Sequence, residues 1–352
     1  MGPQADLSQA MNLDTAHDEQ DRYARLGVRA LEVLRELLTP GTSCALVGFP
    51  HHANVGDSAI WLGERALLRR AGIPVVYTCD LNSFSEQDLL NQLPTGTILI
   101  HGGGNLGDLW PHHQDFRERI IRTFPHHRII QLPQSIHFNH RANLDRARSV
   151  LDAHPNLTIC VRDRHSLEQA RAHFAAHSVL CPDMAFGIED RPDAGGSAPY
   201  DIVWQSRTDH ESTQQPLPPL DSNVLVIDWA HGQGASPAWT AQAHTATQAY
   251  HNAVGDPAAL AAASDRLAAL QLSRGCRLLT SGRIVITDRL HGHLLSLLLG
   301  LPHVILGDRH GKIANTRATW TFHWPAVRWA RTPTEALTHA RDLAAAGSEE
   351  MT

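Results

Sequence analysis

Short apolar runs alternate along the chain with longer stretches in which apolar residues recur at every third or fourth position. The short runs are rich in Val, Ile and Leu and are bounded by Gly, Pro and polar residues, which is typical of strands buried on both faces of a parallel sheet. The longer stretches, such as residues 23–38, have the spacing of helices that pack one face on a sheet. The pattern therefore predicts an α/β fold.

The predicted strands and helices follow one another in regular alternation. Strands are predicted at residues 43–49, 73–79, 97–100, 128–132, 158–161, 179–181, 201–205, 224–228, 276–280, 284–287 and 303–306. Helices are predicted at residues 23–38, 58–70, 85–93, 235–253, 257–272, 294–299 and 333–346, with a further one that ends at residue 176. The segments between them carry the Gly, Pro and polar residues that end helices and form turns.

A run of Gly, Pro, Ser and acidic residues at 189–199 interrupts this alternation and predicts a boundary between two domains. The expected division is a flexible N-terminus (1–22), an N-terminal α/β domain (23–188), a C-terminal α/β domain (200–332), and a C-terminal helix and tail (333–352). Since each domain repeats strand and helix, we expect two doubly wound, Rossmann-like domains that face each other across a cleft.

Composition narrows the partners of such a fold. The 352 residues carry a net charge of −6 and no basic run, which argues against a nucleic-acid-binding protein and favours small-molecule ligands. The first 20 residues are polar and acidic, unlike a signal peptide, and no apolar run reaches the roughly 18 residues of a membrane span. We therefore predict a cytoplasmic protein without a transmembrane segment.

Cysteine and histidine show no metal-site pattern. The five cysteines are scattered, without a CxxC pair, and lie mostly beside apolar strand-like runs, which favours buried thiols over disulfides or a zinc site. The 24 histidines do not recur with carboxylates at metal-ligand spacing. We therefore expect no metal, and we assign most histidines to loops and the surface.

Residues 282–312 have the densest pattern of polar residues at predicted strand ends. Strand 284–287 leads into an apolar helix at 294–299, which a Gly-Leu-Pro break separates from strand 303–306. The carboxyl ends of parallel strands form the ligand-binding edge of an open α/β sheet. At these two ends the chain carries Asp288, Arg289, His291, His293, Asp308, Arg309, His310 and Lys312.

Two loops of the first half repeat this placement. Asn54-Val-Gly-Asp57 follows the first predicted strand, where backbone N–H groups at a helix start can bind an anion, although Asp57 or Ser58 can equally be a simple helix cap. Three consecutive glycines at 102–104 follow the third strand and permit either a close approach to a ligand or a tight turn. Since polar residues follow several strands in the same way, we expect one ligand cleft along one sheet edge.

Taken together, these motifs resemble the polysaccharide pyruvyl transferase family over roughly residues 45–315. They are Asn54-Val-Gly-Asp57, His101-Gly-Gly-Gly-Asn105, Pro133-Gln-Ser135, Arg162-Asp-x-x-Ser166, Cys181-Pro-Asp183, and Asp288-Arg-Leu-His-Gly292 with Gly311-Lys312. The last is the most specific. The resemblance implies a two-domain fold similar to the GT-B glycosyltransferases, and the transfer of pyruvyl from phosphoenolpyruvate to a sugar as a ketal.

The resemblance also implies donor-side roles that suit the residue types. Arg289, Lys312 and Arg162 match the family's anion-binding residues, and guanidinium groups bind phosphate and carboxylate bidentately. Gly292 is expected beside the phosphoenolpyruvate, because glycine-rich backbone amides hold phosphate. His291 is expected to be the general acid and base, because imidazole titrates near neutrality. Phosphoenolpyruvate is then the donor substrate, and no cofactor is expected.

The sugar acceptor is expected mainly at the strand ends of the N-terminal domain. The candidate residues, two of them from the C-terminal domain, are Asn54, Asp57, Gly103, Gly104, Asn105, Gln134, His137, Arg207 and Asp209. His137 is a candidate for a second acid or base, or for a hydrogen-bonded loop histidine. Acceptors in this family are commonly polymer repeat units or lipid-linked precursors, and a chain without an anchor would meet lipid only peripherally, at the inner membrane face.

Two other functions stay open at this point. A GT-B-like glycosyltransferase that uses a nucleotide sugar would need an acidic residue in the C-terminal domain to bind the ribose. A catalytically silent sugar- or phosphate-binding protein would not need Arg289, His291 and Lys312 together. The identity of the sugar, the positions and stereochemistry of the ketal, the pathway and the oligomeric state are likewise open.

Overall fold

A computed structural model describes residues 19–189, 198–230, 235–322 and 327–349. Within these ranges the strands are β1 (Cys44–Val47), β2 (Val75–Cys79), β3 (Thr97–Ile100), β4 (Gly103–Gly107), β5 (Arg128–His137), β6 (Leu157–Val161), β7 (His177–Leu180), β8 (Tyr200–Gln205), β9 (Val224–Ile227), β10 (Gly282–Thr287), β11 (His303–Leu306) and β12 (Val327–Ala330). The helices are α1 (Glu19–Leu37), α2 (Val55–Arg70), α3 (Glu86–Gln92), α4 (Pro111–Thr123), α5 (Arg141–Leu151), α6 (Arg164–His173), α7 (Pro237–Ala253), α8 (Pro257–Leu279), α9 (Leu290–Leu299), α10 (Lys312–Thr316) and α11 (Pro333–Glu349).

The strands form two sheets in which every described pairing is parallel. The first has the order β2-β1-β3-β5-β6-β7, with β4 paired to β5, and the second has the order β12-β11-β10-β8-β9. In each sheet the chain builds outward to one edge and then resumes on the other side of its starting strand. Such a reversal leaves a ligand-binding crevice at the carboxyl ends of neighbouring strands, here β1 and β3, and β8 and β10. The α/β class with parallel sheets is confirmed, and the GT-B-like arrangement stays a prediction.

Helix α9 is apolar on most of its surface because neighbouring elements cover it. Leu295 packs in a cluster with Val203 and Val285 of the second sheet. Leu294, the next residue back along the helix, packs in a different cluster with Phe186 and Ile305. Close packing on more than one side gives the N-terminal residues of α9 a rigid base at the carboxyl end of β10.

Helix α8 joins the cores of the two sheets. Its first half packs Leu267 in one cluster with Trp61 of α2, and its second half packs Cys276 in another cluster with Val203 of β8. Packing is therefore continuous between the two halves of the chain. Helix α11 packs Ala336 on the second sheet, so the predicted C-terminal helix is part of that layer.

Several sequence predictions about elements are wrong. The strand predicted at 276–280 is the last turn of α8, and the glycine-rich loop after β3 contains the strand β4. The strand predicted at 128–132 continues through Pro133 to His137, although proline lacks the N–H group of a sheet ladder. The register of β5 with β6 shifts between Gln131 and Gln134, which accommodates the proline. The sequence pattern does not predict β12.

Some predictions fall outside the described ranges, namely the flexible N-terminus up to residue 18 and the linker at 190–197. Residues 19–22 of the predicted N-terminus belong to α1. All five cysteines are buried free thiols, as predicted. None of the described helices is long and apolar enough to cross a bilayer. In the part of the chain that the structure describes, no cluster of three His, Cys, Asp or Glu side chains is placed to hold a metal ion.

Candidate active site

A cavity of about 360 Å³ lies where the carboxyl ends of the two sheets meet, within the size range of small-molecule sites. The first wall, from the first sheet and its loops, consists of His52, Ala53, Asn54, Asp57, Gly104, Asn105, Trp110, His112, His113 and Arg162. The second wall, from the second sheet and its loops, consists of Arg207, Asp209, Glu211, Trp229, Ala230, Arg289, Leu290, His291 and Lys312. The crevice between β1 and β3 and the crevice between β8 and β10 therefore open onto the same cavity.

Arg289 occupies the N-cap position of α9 on the second wall. Its guanidinium makes a bidentate pair with Asp228, from Nε to Oδ1 and from Nη2 to Oδ2, both at 2.8 Å, and Nη2 also donates to Asp209 Oδ2 at 3.1 Å. Burial alone would raise the pKa of Asp228, but the Arg289 guanidinium, together with hydrogen bonds from Thr208, holds that pKa below its ordinary value. Arg289 is therefore fixed in orientation, and its charge is balanced before a ligand binds.

Glu211 is a buried carboxylate that joins the two walls. Its Oε2 accepts from Lys312 Nζ at 2.7 Å, while its Oε1 accepts from Trp110 Nε1 at 3.0 Å and lies 3.0 Å from Arg207 Nη2. Lys312 Nζ also donates to the carbonyl oxygen of Gly104 at 3.1 Å. Burial lowers the pKa of the Lys312 ammonium below its ordinary value, although Glu211 opposes this effect. One carboxylate therefore links cations of the second wall to the first wall.

Arg162 and Lys312 converge on Gly104. Arg162 donates from Nε to Ser135 Oγ at 2.9 Å and from Nη1 to Asp183 Oδ2 at 2.7 Å, whereas its Nη2 has no hydrogen-bond partner among the described residues. A Cβ atom at Gly104 would lie 2.8 Å from Arg162 Nη2 and 3.2 Å from Lys312 Nζ. Because Gly104 has no side chain, two cationic groups from different walls face the same small space.

His291 lies in the first turn of α9, with its side chain 11% exposed. Its Nε2 is 3.4 Å from Asp183 Oδ2, close enough for an ion pair but not aligned as a hydrogen bond. Burial alone would raise the pKa of Asp183, but His291 and then Arg162 outweigh burial and hold it below its ordinary value. The imidazole also packs against Gly56 at the start of α2, where there is no room for a Cβ atom. His291 is therefore held between both halves of the chain at the edge of the cavity.

Asn54 is the N-cap of α2. Its Oδ1 accepts from the backbone N–H of Gly56 at 3.3 Å, and its Nδ2 donates to Asp57 Oδ2 at 2.7 Å. The interpretation of Asp57 or Ser58 as the cap is therefore wrong, because the helix already begins at Val55. Asp57 lies in the first turn and lines the cavity, so its carboxylate is available to a ligand.

Asp57 lies close to the histidines of the first wall. His52 Nε2 is 3.5 Å from Asp57 Oδ2, and the ring centres of His52 and His113 are 6.4 Å apart. Burial alone would raise the pKa of Asp57, but His52 and then His291 hold it below its ordinary value. Burial lowers the pKa of His113 to about 3, so this imidazole is neutral near pH 7. The first wall thus offers a carboxylate acceptor and a neutral imidazole.

The side chain of Asn105 is oriented by groups behind it. Its Oδ1 accepts from Arg117 Nη2 at 2.7 Å and from Gln134 Nε2 at 3.0 Å, and its backbone N–H donates to Gln134 Oε1 at 2.9 Å. Arg117 and Gln134 are both buried. Since both lone pairs of Oδ1 are used, Nδ2 is the group that Asn105 offers to a ligand.

The structure brings most of the predicted site residues into one cavity. Those that line it are Asn54, Asp57, Gly104, Asn105, Arg162, Arg207, Asp209, Arg289, His291 and Lys312. Those that do not line it are Gly103, Gln134, His137 and Gly292. His137 lies beside His310, with ring centres 4.4 Å apart, and Gly292 packs against Gln205 and Thr287 with no room for a Cβ atom. We therefore place these four residues in supporting positions around the cavity.

Some site residues had no role assigned from the sequence. Asp183 belongs to the Cys-Pro-Asp motif, so the sequence does contain a signal for this residue. Nothing in the sequence indicates that it pairs with Arg162 and His291. Glu211 and Asp228 follow β8 and β9 without any motif, and only their partners in three dimensions identify them. Arg207, predicted on the acceptor side, lies on the second wall, where its Nε donates to Asp209 Oδ1 at 2.6 Å.

Comparison with known proteins points to one family. The chain matches the family model described as polysaccharide pyruvyl transferase over residues 54–310. It is 34% identical over 291 residues to pyruvyl transferase 1 of Schizosaccharomyces pombe. The aligned region covers 78% of this chain and 69% of that protein. It is 31% identical over 300 residues to EpsO of Bacillus subtilis, which is named as a pyruvyl transferase, with 85% and 91% covered. A solved structure of a functionally uncharacterised Klebsiella pneumoniae protein matches 89% of this chain and 100% of its own, with a TM-score of 0.55 and 15% identity.

Proposed function

The chain belongs to the polysaccharide pyruvyl transferase family, and from this membership we propose that it transfers the pyruvyl group of phosphoenolpyruvate to a saccharide. The product would be a ketal, in which two sugar oxygens are joined to one carbon, and inorganic phosphate would be released. The observation that carries the proposal is the convergence of Arg162 and Lys312 on Gly104, beside an imidazole that shares Asp183 with Arg162.

Phosphoenolpyruvate is a small molecule with two anionic groups. Arg162 Nη2 and Lys312 Nζ face the space above Gly104, where one anionic oxygen can accept from both. Because Glu211 already holds Lys312, the incoming anion exchanges with that carboxylate rather than meeting a free ammonium. Arg289 uses Nε and Nη2 for its carboxylate partners, so Nη1 is the group it offers to the second anion.

His291 is placed to move the protons of the reaction. In the proposed sequence it gives a proton to the methylene carbon of phosphoenolpyruvate, which becomes a methyl group. One sugar hydroxyl adds to the adjacent carbon, the bond from that carbon to the phosphate oxygen breaks, and a second hydroxyl of the same sugar adds. Two carbon–oxygen bonds form and one breaks. One hydroxyl proton replaces the proton taken up by the methyl group, and the other leaves with phosphate. The Asp183 carboxylate lies beside the imidazole throughout, with its Oδ2 atom 3.4 Å from His291 Nε2.

The first wall suits the hydroxyl groups of the acceptor. A hydroxyl both donates and accepts a hydrogen bond, and this wall offers the Asp57 carboxylate as an acceptor and Asn105 Nδ2 as a donor. We therefore place the saccharide on the first wall and phosphoenolpyruvate between Arg162 and the second wall. The two sheets would then serve as the acceptor and donor halves of a GT-B-like arrangement.

The reaction as proposed needs no metal and no cofactor, because the cations that balance the phosphate are side chains of the protein. We also propose a cytoplasmic location, because phosphoenolpyruvate is available there as a substrate. A lipid-linked saccharide would be reached peripherally at the inner membrane face.

A single incubation tests the proposed function. Phosphoenolpyruvate and a panel of glycosides are mixed with the protein, and phosphate release and the masses of the glycosides are measured. We expect phosphate release that depends on a glycoside, together with a mass gain equal to a pyruvate ketal. Binding of a uridine or guanosine nucleotide without binding of phosphoenolpyruvate would favour a nucleotide-sugar glycosyltransferase. Tight binding of phosphoenolpyruvate without turnover on any glycoside would favour a silent binding protein.

A further inference from the structure

A second cavity, of about 340 Å³, lies at the carboxyl ends of β8, β10, β11 and β12. It is a close neighbour of the first cavity. Arg207 lines the first and the preceding Ser206 lines the second, and in the same way Arg289 lines the first and the preceding Asp288 lines the second. Since residues adjacent in sequence face different cavities, the wall between the two is thin.

The second cavity offers an aromatic surface. Trp329 of β12 and Leu217 contribute half-buried side chains, and Leu306 adds a buried one. Gly307 places no side chain against the Trp329 ring, where a Cβ atom would lie 3.6 Å from Cζ2 and 3.8 Å from Cη2. The Arg317 guanidinium lies over the same ring, with its central carbon 5.9 Å from the ring centroid. A half-buried indole that borders a cavity can pack against the C–H face of a sugar ring, because the face of an indole is electron-rich and flat.

Asp288 supplies a hydrogen-bond acceptor that is largely removed from solvent. The residue is 8% exposed, its Oδ1 accepts from the backbone N–H of Arg207 at 2.8 Å, and its Oδ2 has no hydrogen-bond partner among the described residues. Burial raises the pKa of Asp288 to about 6, which reflects the cost of a poorly solvated carboxylate. Because Asp288 lines the cavity, a hydroxyl group of a ligand there can donate a hydrogen bond to this oxygen.

The charge of the second cavity disfavours ligands that carry phosphate. Among the described residues that line it, Asp288 and Asp308 are acidic and Arg331 alone is basic. Both oxygens of Asp308 accept backbone N–H groups at the start of α10, at 2.9 and 2.8 Å. The remaining polar groups are the uncharged side chains of Ser206, Ser212, Thr213 and Gln215. These groups hydrogen-bond to neutral hydroxyls, while the carboxylates repel an anion.

We propose that the second cavity binds an uncharged sugar ring, a further unit of the saccharide whose hydroxyls accept the pyruvyl group. The identity of that saccharide as the acceptor rests on the proposed function, but the binding itself needs no catalysis. With one unit at each cavity, the enzyme would select saccharides of two or more units over a lone monosaccharide.

Trp329 gives a direct probe of this site. The chain contains eight tryptophans, so protein labelled with fluorotryptophan gives a fluorine NMR spectrum in which Trp329→Phe identifies the Trp329 resonance. The probes are the methyl glycosides of glucose, galactose, mannose and N-acetylglucosamine, and disaccharides built from them. We expect at least one to shift the Trp329 resonance in a saturable way without phosphoenolpyruvate. Gly307→Leu, which covers the ring, should weaken this binding about tenfold, and Gly307→Ala should weaken it less.

The outcomes separate this site from the proposed function. The sugar site is overturned if no saccharide shifts the Trp329 resonance, if the shift survives Gly307→Leu, or if uridine monophosphate shifts it and the sugars do not. The other tryptophan resonances report whether the variant is folded. In the turnover assay, Gly307→Leu should raise the KM for a disaccharide about tenfold and leave the KM for phosphoenolpyruvate unchanged. An unchanged disaccharide KM would overturn the site even where pyruvyl transfer occurs, and sugar binding without pyruvyl transfer would contradict the proposed function alone.

Discussion

The two sheets have the same strand order around their ligand-binding crevices, but the side chains at the two crevices differ. The first has β2-β1-β3 and the second has β9-β8-β10. At the first crevice the chain presents the amides of Asn54 and Asn105 with the single carboxylate of Asp57. At the second it presents Arg207 and Arg289, each paired with carboxylates. Equivalent topology thus directs two kinds of chemistry into one cavity.

The difference shows that the fold sets where the ligand-binding loops lie, whereas the side chains on those loops set what they can bind. Topology places both sets of loops at the same edge, whatever residues they carry. On the second wall, buried ion pairs orient the guanidinium groups before a ligand arrives, which suits a small donor of fixed charge. On the first wall, mostly uncharged groups offer single hydrogen bonds, which suits the hydroxyls of a sugar.

Loss of the imidazole should be the largest single effect on turnover and should leave the first wall intact. We expect His291→Ala to lower kcat about 10²–10⁴-fold, because the proton transfers lose their carrier, while acceptor binding measured by calorimetry stays unchanged. His310→Ala is the matched control, since His310 lies beside His137 and outside the cavity. Similar rates for the two variants would show that His291 has no special role.

Loss of the Arg289 guanidinium from the second wall should lower the free energy of unfolding more than loss of the Asn54 amide from the first wall. Arg289→Ala would leave Asp228 buried without its main partner, which costs about 3–5 kcal/mol in such sites. Asn54→Ala on the first wall removes a helix cap, which costs about 1 kcal/mol, and one hydrogen bond to Asp57, but it leaves no buried charge without a partner. Urea unfolding of both variants checks the contrast. Equal midpoints would mean that the second wall is not held together by its ion pairs.

The pH dependence of stability should have opposite signs at two carboxyls, Asp288 of the second cavity and Asp57 of the first wall. The pKa of Asp288 is raised from 3.8 to about 6, so folding favours its protonated form and stability falls as pH rises from about 4 to about 6, by on the order of 3 kcal/mol. The pKa of Asp57 is lowered, so this carboxylate contributes stability above its ordinary pKa that is lost as pH falls through its folded pKa.

Urea midpoints across this pH range test the contrast between the two carboxyls. Asp288→Asn should flatten the loss of stability between about pH 4 and about pH 6, because the group that resists ionisation is gone. Asp57→Asn should lower the midpoint more near neutral pH than in acid. The same pH profile for both variants would show that Asp288 and Asp57 do not differ in this way.

A smaller effect should follow from adding one methyl group between the cations. Gly104→Ala places a carbon 2.8 Å from Arg162 Nη2 and 3.2 Å from Lys312 Nζ, so we expect the KM for phosphoenolpyruvate to rise about tenfold with the acceptor KM unchanged. Gly307→Ala is the control for the phosphoenolpyruvate KM alone, because its added carbon meets Trp329 at an ordinary 3.6 Å, away from both cations. A larger change in the acceptor KM than in the phosphoenolpyruvate KM would place the donor elsewhere.

Local pattern was enough to predict the β10-α9-β11 unit and the residues at its strand ends. Apolar runs, a glycine and a proline break mark those elements, and the side chains that follow a buried parallel strand must lie at its carboxyl edge. Arg289, His291 and Lys312 were therefore predicted at one edge, and all three line the cavity.

Contacts between residues far apart in sequence, and the position at which a helix ends, could not be predicted in the same way. Nothing near Glu211 in sequence indicates that it meets Lys312 and Trp110, because those partners are about a hundred positions away. The end of α8 was misassigned since a short apolar run suits a strand or a buried helix equally. The sequence predicts that Gln134 contacts the acceptor. Only the structure shows that its side-chain amide hydrogen-bonds to the backbone and side chain of Asn105.

The most direct test of pyruvyl transfer follows the central carbon of the donor. Phosphoenolpyruvate labelled with carbon-13 at that carbon is incubated in heavy water with the protein and a saccharide that supports phosphate release, and the product is examined by NMR. We predict the label in a quaternary carbon bonded to two oxygens of one sugar, next to a methyl group with one deuterium. Label in free pyruvate or in a vinyl ether, with no labelled ketal on any sugar, would contradict the assignment.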